Sequence, residues 1–172
     1  MKNLFLMLMV LCLCMACNKK PLQQEPVQVA PTSFILLRHA EKAKDDPRDP
    51  SLNEQGKKRA LAIAQMFGRT TPTALYATPY KRTQNTLAPL AEQLNQEILT
   101  YDRNNKNMIE EILEQNKGGL VFISGHSNTT PALVNKLIGS DEYKNLSEDD
   151  YGTMFWVTVS SIGDGTVQVI NY

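Results

Sequence analysis

The two histidines of this 172-residue chain, His39 and His126, occupy the same kind of position in the sequence. Each follows a short apolar segment, at residues 34–37 and 120–124, that predicts a strand buried on both faces of a parallel sheet. Ligands of open α/β sheets bind at the carboxyl ends of the strands, so the two imidazoles are expected to share a site. Arg38 adds a permanent charge whose planar fork suits phosphate or carboxylate oxygens. These residues therefore predict a local anion site.

The elements that must position this site alternate between strand and helix. Four strand candidates, at residues 34–37, 74–78, 97–101 and 120–124, alternate with segments whose apolar residues recur at helical spacing. Asn53 is a plausible N-cap of the first helix, and Pro89 should bend the second. Two final strands, at 154–160 and 166–172, flank a turn at residues 163–165 and predict a hairpin with Trp156 in its core. The fold class is α/β, a three-layer α/β/α sandwich with a mostly parallel sheet and a C-terminal hairpin.

Composition excludes several classes of function. The 18 basic and 18 acidic side chains balance, which gives no global electrostatic reason to expect a nucleic acid partner. All three cysteines lie within the first 17 residues, so the domain holds no disulfide framework or cysteine metal site. No glycine-rich nucleotide loop occurs. The acidic clusters are interpreted as a solvated loop and a surface turn: Asp45, Asp46 and Asp49, and Glu148, Asp149 and Asp150.

The N-terminal segment predicts export. Lys2 precedes an apolar stretch, residues 4–15, that is too short for a permanent membrane helix and is typical of a signal peptide over residues 1–16. The stretch ends in Cys14, Met15, Ala16 and Cys17, and these four residues resemble the lipobox of bacterial lipoproteins, which implies lipidation of Cys17. Residues 17–32 are polar and contain proline, as in a flexible tether. A domain at 33–172 would then be held at the cell envelope by a lipid anchor in a bacterial membrane, on the periplasmic or surface side; an ordinary cleaved signal is the alternative.

Four motifs in order resemble the histidine phosphatase superfamily, also called phosphoglycerate-mutase-like, in a compact single-domain form. FILLRHAEK resembles the opening motif, with its paired arginine and histidine. Leu52, Asn53 and Gly56 match the short signature at the start of the first helix. TPYKRTQNT, which contains Arg82, resembles the segment with the second phosphate arginine, and GHSNT resembles the segment with the second histidine. Together the motifs span about residues 33 to 138.

The resemblance implies specific roles and no metal or cofactor. Arg38 and Arg82 would hold the phosphoryl group from opposite sides. His39 would attack phosphorus and carry a phosphohistidine, and its attacking nitrogen must be unprotonated, a state that a hydrogen bond from the other nitrogen to a backbone carbonyl would fix. His126 would donate to a phosphoryl oxygen and stabilise the transition state.

The sequence offers two candidates for the proton donor of the leaving alcohol. Larger family members have an aspartate directly after the second histidine, where this chain has Ser127. Compact members take a carboxylate from the region between the second arginine and the second histidine, which makes Asp102 the first candidate. Glu41 is the second.

We therefore expect a phosphohydrolase of the histidine acid phosphatase type. Its substrates would be small phosphorylated metabolites, or phosphohistidine in a protein, and it would act as a monomer. Two alternatives stay open: phosphoryl transfer of the phosphoglycerate mutase kind, and a non-catalytic module that only binds phosphate.

Overall fold

The computed structural model describes residues 30–172. The predicted signal peptide, the predicted lipidation site Cys17 and the tether up to residue 29 lie outside the described residues. The first strand already begins at Thr32, which is 2% exposed, so the folded domain starts one residue before the predicted boundary. Within residues 30–172, no helix is long and apolar enough to cross a membrane.

Six strands and four helices alternate as the sequence predicts. The strands form one sheet in the order β3-β2-β4-β1-β5-β6. The first four strands in this order are parallel, and β5 and β6 form an antiparallel hairpin at the edge beside β1. The predicted fold class is confirmed. The elements are β1 (Thr32–Arg38), α1 (Glu54–Phe67), β2 (Ala74–Ala77), α2 (Lys81–Leu94), β3 (Ile98–Thr100), α3 (Met108–Gln115), β4 (Leu120–Gly125), α4 (Thr129–Ile138), β5 (Thr153–Val159) and β6 (Thr166–Asn171).

Alternating side chains of the central strands serve two cores. On β1, Phe34 and Leu36 face the layer formed by α3 and α4, whereas Ile35 and Leu37 face the layer formed by α1 and α2. All four are fully buried, and each such side chain contributes roughly 1.5–3 kcal/mol relative to exposure. Trp156 is half-buried and packs against the α1 and α2 side. A strand covered on both faces explains why the sequence segment is apolar without alternation.

Helix α1 begins where predicted, and its start shapes the loop after β1. The side chain of Asn53 accepts a hydrogen bond from the amide of Gly56 at 2.9 Å, an N-cap that satisfies one of the free amides of the first turn. A Cβ at Gly56 would collide with the backbone of Glu41, so only glycine allows this close approach. Helix α2 continues through Pro89 from Lys81 to Leu94.

Candidate active site

The carboxyl ends of β1 and β4 lie side by side and bring the two histidines together. Arg38 pairs with Gly125 across the two strands, and the amide of His39 donates to the carbonyl of Gly125 at 2.9 Å. The imidazole centroids are 5.5 Å apart. Arg82, from the first turn of α2, completes the lining of a cavity of about 290 Å³ with these groups. The structure therefore places the four predicted phosphate-binding residues around one cavity, at the predicted edge of the sheet.

His39 is held in a single tautomer. Its Nδ1 lies 2.8 Å from the carbonyl oxygen of Ala40, which can only accept, so Nδ1 carries the proton and Nε2 is left with a free lone pair. Burial lowers the pKa of His39 to about 3, with further lowering by the charges of Arg38 and Arg82. The imidazole is thus neutral at physiological pH, as a nucleophile must be.

Arg38 is buried, with 2% of its surface exposed, and it organises a distant loop. Its Nη1 donates to the carbonyls of Ser147 at 2.6 Å, Glu148 at 3.1 Å and Asp150 at 3.0 Å, and its guanidinium lies over the ring of Tyr151. Nη2 faces the Glu148 carboxylate at 3.6 Å, and Nε has no partner among the described residues. With Nη1 occupied, Nε and Nη2 remain as the fork that can hold an anion bidentately.

Arg82 is anchored by an aspartate that the sequence analysis assigned to a solvated loop. The Asp49 carboxylate accepts from the amide of Lys81 at 2.9 Å and lies 3.7 Å from Arg82 Nη1. Tyr80, which precedes α2, makes no side-chain cap, so Asp49 supplies the hydrogen bond to the start of the helix. The interpretation of Asp49 as merely solvated is therefore wrong: it ties the first loop to α2.

His126 is held by hydroxyl groups. Its Nε2 lies 3.1 Å from Thr78 Oγ1, which lies 2.9 Å from Thr83 Oγ1. Thr83 has the carbonyls of Thr78 and Tyr80 within 2.9 Å and donates to one of them, so its oxygen accepts from Thr78. Thr78 in turn accepts from His126, which favours a proton on Nε2. Burial lowers the pKa of His126 to about 4, and the charges of Arg82, Arg103 and Arg38 act in the same direction.

The two lowered pKa values predict an acid-dependent loss of stability. In the unfolded chain the two histidines have their ordinary pKa of 6.5 and bind protons below that pH, whereas in the folded protein they stay neutral until the pH is much lower. The folded state is therefore fully stable above pH 6.5 and loses stability as the pH falls. Between pH 6.5 and about 5, the free energy of unfolding should fall by about 2 kcal/mol per histidine. Urea unfolding at both pH values measures this fall. An equal fall in the variant with both histidines changed to glutamine would contradict the assignment.

The structure separates the two predicted proton donors from the histidine cavity. Asp102 follows β3, is exposed and accepts the amide of Asn104 at 2.9 Å; it lines a neighbouring cavity of about 360 Å³. Glu41 is buried, and its carboxylate accepts hydrogen bonds from Arg59 Nη2 at 2.7 Å and from Arg59 Nε at about 3 Å. Burial raises the pKa of Glu41, but the hydrogen bonds and charge of Arg59 outweigh it and the pKa is lowered. Glu41 is therefore an ionised partner of Arg59 and unsuited to donate a proton.

Among the described residues, Glu148 is the one carboxylate that lines the cavity of the histidines. Its side chain is 82% exposed, and its backbone is held by the hydrogen bond that Arg38 Nη1 donates to its carbonyl oxygen. The sequence analysis placed Glu148 in a surface turn and missed its position, because the contact joins residues 110 positions apart. No local motif marks such a contact.

Comparison with known proteins supports the family resemblance and the fold. Residues 34–104 match the family model of the histidine phosphatase superfamily (branch 1). Phosphoserine phosphatase 1 of Hydrogenobacter thermophilus is 38% identical over 76 residues, which cover 41% of this chain and 36% of that protein. The match thus spans about a third of the length of this curated relative.

Two solved structures share the fold. A mycobacterial glucosyl-3-phosphoglycerate phosphatase superposes with a TM-score of 0.66 and 14% identity, over 82% of this chain and 99% of that chain. The protein histidine phosphatase SixA, complexed with tungstate, superposes with a TM-score of 0.64 and 16% identity, over 81% and 96% of the chains. At these identities the likeness establishes the architecture, and the chemistry must be argued from the site.

Proposed function

We propose that this chain, whose residues 34–104 match the model of the histidine phosphatase superfamily, is a member of that superfamily and hydrolyses phosphomonoesters through a phosphohistidine on His39. The observation that carries the proposal is the state of His39: a neutral imidazole with Nδ1 bound to a carbonyl and Nε2 unprotonated. This nitrogen belongs to a cavity that Arg38 and Arg82 also line. The proposed substrates are small phosphorylated metabolites, with phosphohistidine as the second class.

In the first step, Nε2 of His39 attacks phosphorus in line with the ester oxygen. The bond from phosphorus to the ester oxygen breaks as the bond from nitrogen to phosphorus forms, and an acid protonates the leaving alcohol. Arg38, through Nε and Nη2, and Arg82 hold the phosphoryl oxygens. A phosphate dianion in the cavity raises the pKa of His126, whose second N–H then donates to the phosphoryl group. Water finally attacks the phosphohistidine, and phosphate leaves.

For the proton donor we propose Glu148, with Asp102 as the alternative from the sequence. Glu148 lines the same cavity as His39, whereas Asp102 lines the adjacent one. Once phosphate occupies the fork of Arg38, the carboxylate of Glu148, which lies 3.6 Å from Arg38 Nη2, is beside the phosphoryl group and within reach of the leaving alcohol. After the alcohol has left, the carboxylate can take a proton from the attacking water.

Leaving-group dependence distinguishes the two carboxylates. We expect Glu148→Gln to slow kcat for an alkyl phosphate by about 10²-fold, because a poor leaving group needs the proton. p-Nitrophenyl phosphate, whose leaving group is weakly basic, should slow by less than about threefold. Asp102→Asn is the matched control and should slow both esters equally little. The opposite pattern, with selective slowing in Asp102→Asn, would return the role to Asp102.

Turnover by the full-length chain tests the proposed function. p-Nitrophenyl phosphate should yield free phosphate, and EDTA should not prevent the reaction because the mechanism uses no metal. Binding of phosphate without hydrolysis of the ester would show that the chain is a phosphate-binding module and not a phosphatase. Transfer of the phosphoryl group to an acceptor alcohol without release of phosphate would identify a mutase.

We also propose, from the sequence alone, that Cys17 is lipidated and holds the domain at a bacterial membrane. Incorporation of labelled palmitate into the full chain, and its loss in Cys17→Ser, is the expected result. Label retained by Cys17→Ser would contradict it.

A further inference from the structure

Tyr80 packs against two of the four predicted phosphate-binding residues from outside the cavity of the histidines. The centre of its ring lies 4.5 Å from the guanidinium carbon of Arg82. The same ring lies 5.3 Å from the imidazole of His126, measured between the ring centroids. Tyr80 is half-buried and is not among the residues that line the cavity. It therefore adjoins an arginine and a histidine of the site without occupying the space for a ligand.

Tyr151 has the same relation to the other two residues of this set. The centre of its ring lies 4.2 Å from the guanidinium carbon of Arg38 and 6.0 Å from the imidazole centroid of His39. Like Tyr80, it is half-buried and does not line the cavity. It belongs to the segment directly before β5, whereas Tyr80 directly precedes α2. Each pair of one arginine and one histidine thus has its own tyrosine, supplied by a separate part of the chain.

The two cavity arginines lack the close carboxylate that another partly buried arginine has. Arg59 Nη2 lies 2.7 Å from a carboxylate oxygen of Glu41. Among the described residues, the carboxylate oxygens nearest to Arg38 and Arg82 lie 3.6 Å and 3.7 Å away. A close ion pair would compete with phosphate for the N–H groups of an arginine, whereas a long one leaves them available. The two arginines therefore need another means of being held in place.

An aromatic ring can hold an arginine without competing for its hydrogen-bond donors. The N–H groups of a guanidinium lie in its plane, whereas the face of the ring attracts the cation through its negative charge density. The face carries no formal charge, so the edge of the guanidinium stays open to phosphoryl oxygens. A side chain that is already ordered also loses less conformational entropy when the ligand binds. These properties suit a site whose ligand is an anion.

We propose that Tyr80 and Tyr151 are positioning residues, whose ring faces hold Arg82 and Arg38 in the orientation that binds the phosphoryl group. The effect on catalysis rests on the proposed function, whereas the effect on phosphate affinity needs no turnover. Arg38 is also fixed by three backbone carbonyls. For Arg82, the described residues supply the ring and the long ion pair with Asp49. Tyr80 should therefore contribute more than Tyr151.

Fluorinated rings test this role with little change in the shape of the side chain. Tyr80→Phe and Tyr151→Phe in the full-length chain are the references, and mono-, di- and trifluorinated phenylalanine form the series at each position. Fluorine withdraws electron density from the ring face and so weakens its attraction for a cation. The dissociation constant of inorganic phosphate, measured by calorimetry, should rise stepwise, by about tenfold over the series at Tyr80 and about threefold at Tyr151. In parallel, kcat/KM for p-nitrophenyl phosphate should fall.

Two other tyrosines provide matched controls. Tyr172 lies 5.4 Å from the guanidinium carbon of Arg59, which does not line the cavity. Tyr143 precedes Tyr151 in the same loop and packs against Phe155, with the ring centroids 5.0 Å apart. The fluorinated series at either control position should leave phosphate affinity and kcat/KM within about twofold of the phenylalanine reference, because neither ring holds a cavity arginine. Urea unfolding of every variant separates these effects from a general loss of stability.

Two results would overturn the positioning role: a phosphate affinity that stays constant along the series at Tyr80, or an equal loss of affinity along the series at Tyr172. Failure of the proposed function has a different signature. If p-nitrophenyl phosphate is not hydrolysed by any variant, calorimetry with inorganic phosphate still reports the series. A stepwise loss of phosphate affinity at Tyr80 without turnover would then support the positioning role and refute the phosphatase.

Discussion

Replacement of His39 by alanine is expected to lower kcat for p-nitrophenyl phosphate by at least about 10⁴-fold, because the variant lacks the only group assigned as nucleophile. The hydrogen bond to Ala40 holds the imidazole in its reactive tautomer, and burial keeps it neutral. No neighbouring side chain is assigned the same two properties. The Nε2 atom of His126 is hydrogen-bonded to a hydroxyl group, so this imidazole is not placed to act as the nucleophile instead of His39. Steady-state release of p-nitrophenol measures the loss.

The control for His39→Ala is phosphate binding. Arg38 and Arg82 are unchanged in the variant, so calorimetry should still detect inorganic phosphate, with an affinity within about tenfold of wild type. Retained binding separates the loss of a nucleophile from the loss of the fold. Turnover above about a tenth of wild type in a variant that binds phosphate would refute the assignment of His39.

Arg38→Lys is expected to give the second largest loss, about 10²- to 10³-fold in kcat/KM. The guanidinium uses Nη1 for three carbonyls and leaves Nε and Nη2 for the phosphoryl group. A lysine ammonium has one nitrogen and cannot reach both sets of oxygens. Either the phosphate loses its bidentate partner, or the loop at 147–150 loses the group that fixes it.

Arg59→Lys is the matched control for Arg38→Lys, because Arg59 is a partly buried arginine that forms a bidentate pair with Glu41 and does not line the cavity. Its kcat/KM should stay within about threefold of wild type. Protease sensitivity of the 147–150 loop should rise in Arg38→Lys alone. Equal losses of activity in the two variants would show that the effect of Arg38 is general destabilisation.

Much of the fold could be predicted because a few physical signals are local. The buried strand β1 appears as four consecutive apolar residues, and the N-cap of α1 requires only Asn53 and the amide three residues later. The two histidines follow strands that are neighbours in the sheet, so their meeting follows from the general rule for parallel sheets.

The parts of the site that escaped prediction depend on contacts between distant segments. Asp49 and Glu148 stand in polar, acidic stretches that look like solvated turns, and nothing nearby in sequence distinguishes them from such turns. Asp49 meets the start of α2 more than 30 positions later, and Glu148 meets Arg38 across 110 positions. Thr78 and Thr83 lie in the segment TPYKRTQNT that marks Arg82, but nothing in that segment shows that their hydroxyl groups hold His126.

The proton donor illustrates the same limit. Asp102 was predicted from its place between the second arginine and the second histidine, but the loop after β3 carries it to the neighbouring cavity. Glu41 is a candidate because it stands three residues beyond Arg38, yet its carboxylate is paired with Arg59. Position in the sequence therefore did not predict which carboxylate lines the cavity of the histidines.

Direct detection of the phosphoenzyme tests the central claim most sharply. Wild-type chain should be mixed with phosphorus-labelled substrate, quenched in alkali, in which phosphohistidine survives, and digested for mass spectrometry. The account predicts label on Nε2 of His39 that is lost in acid. Label on another residue, or release of phosphate with no labelled protein at any time before steady state, would contradict it.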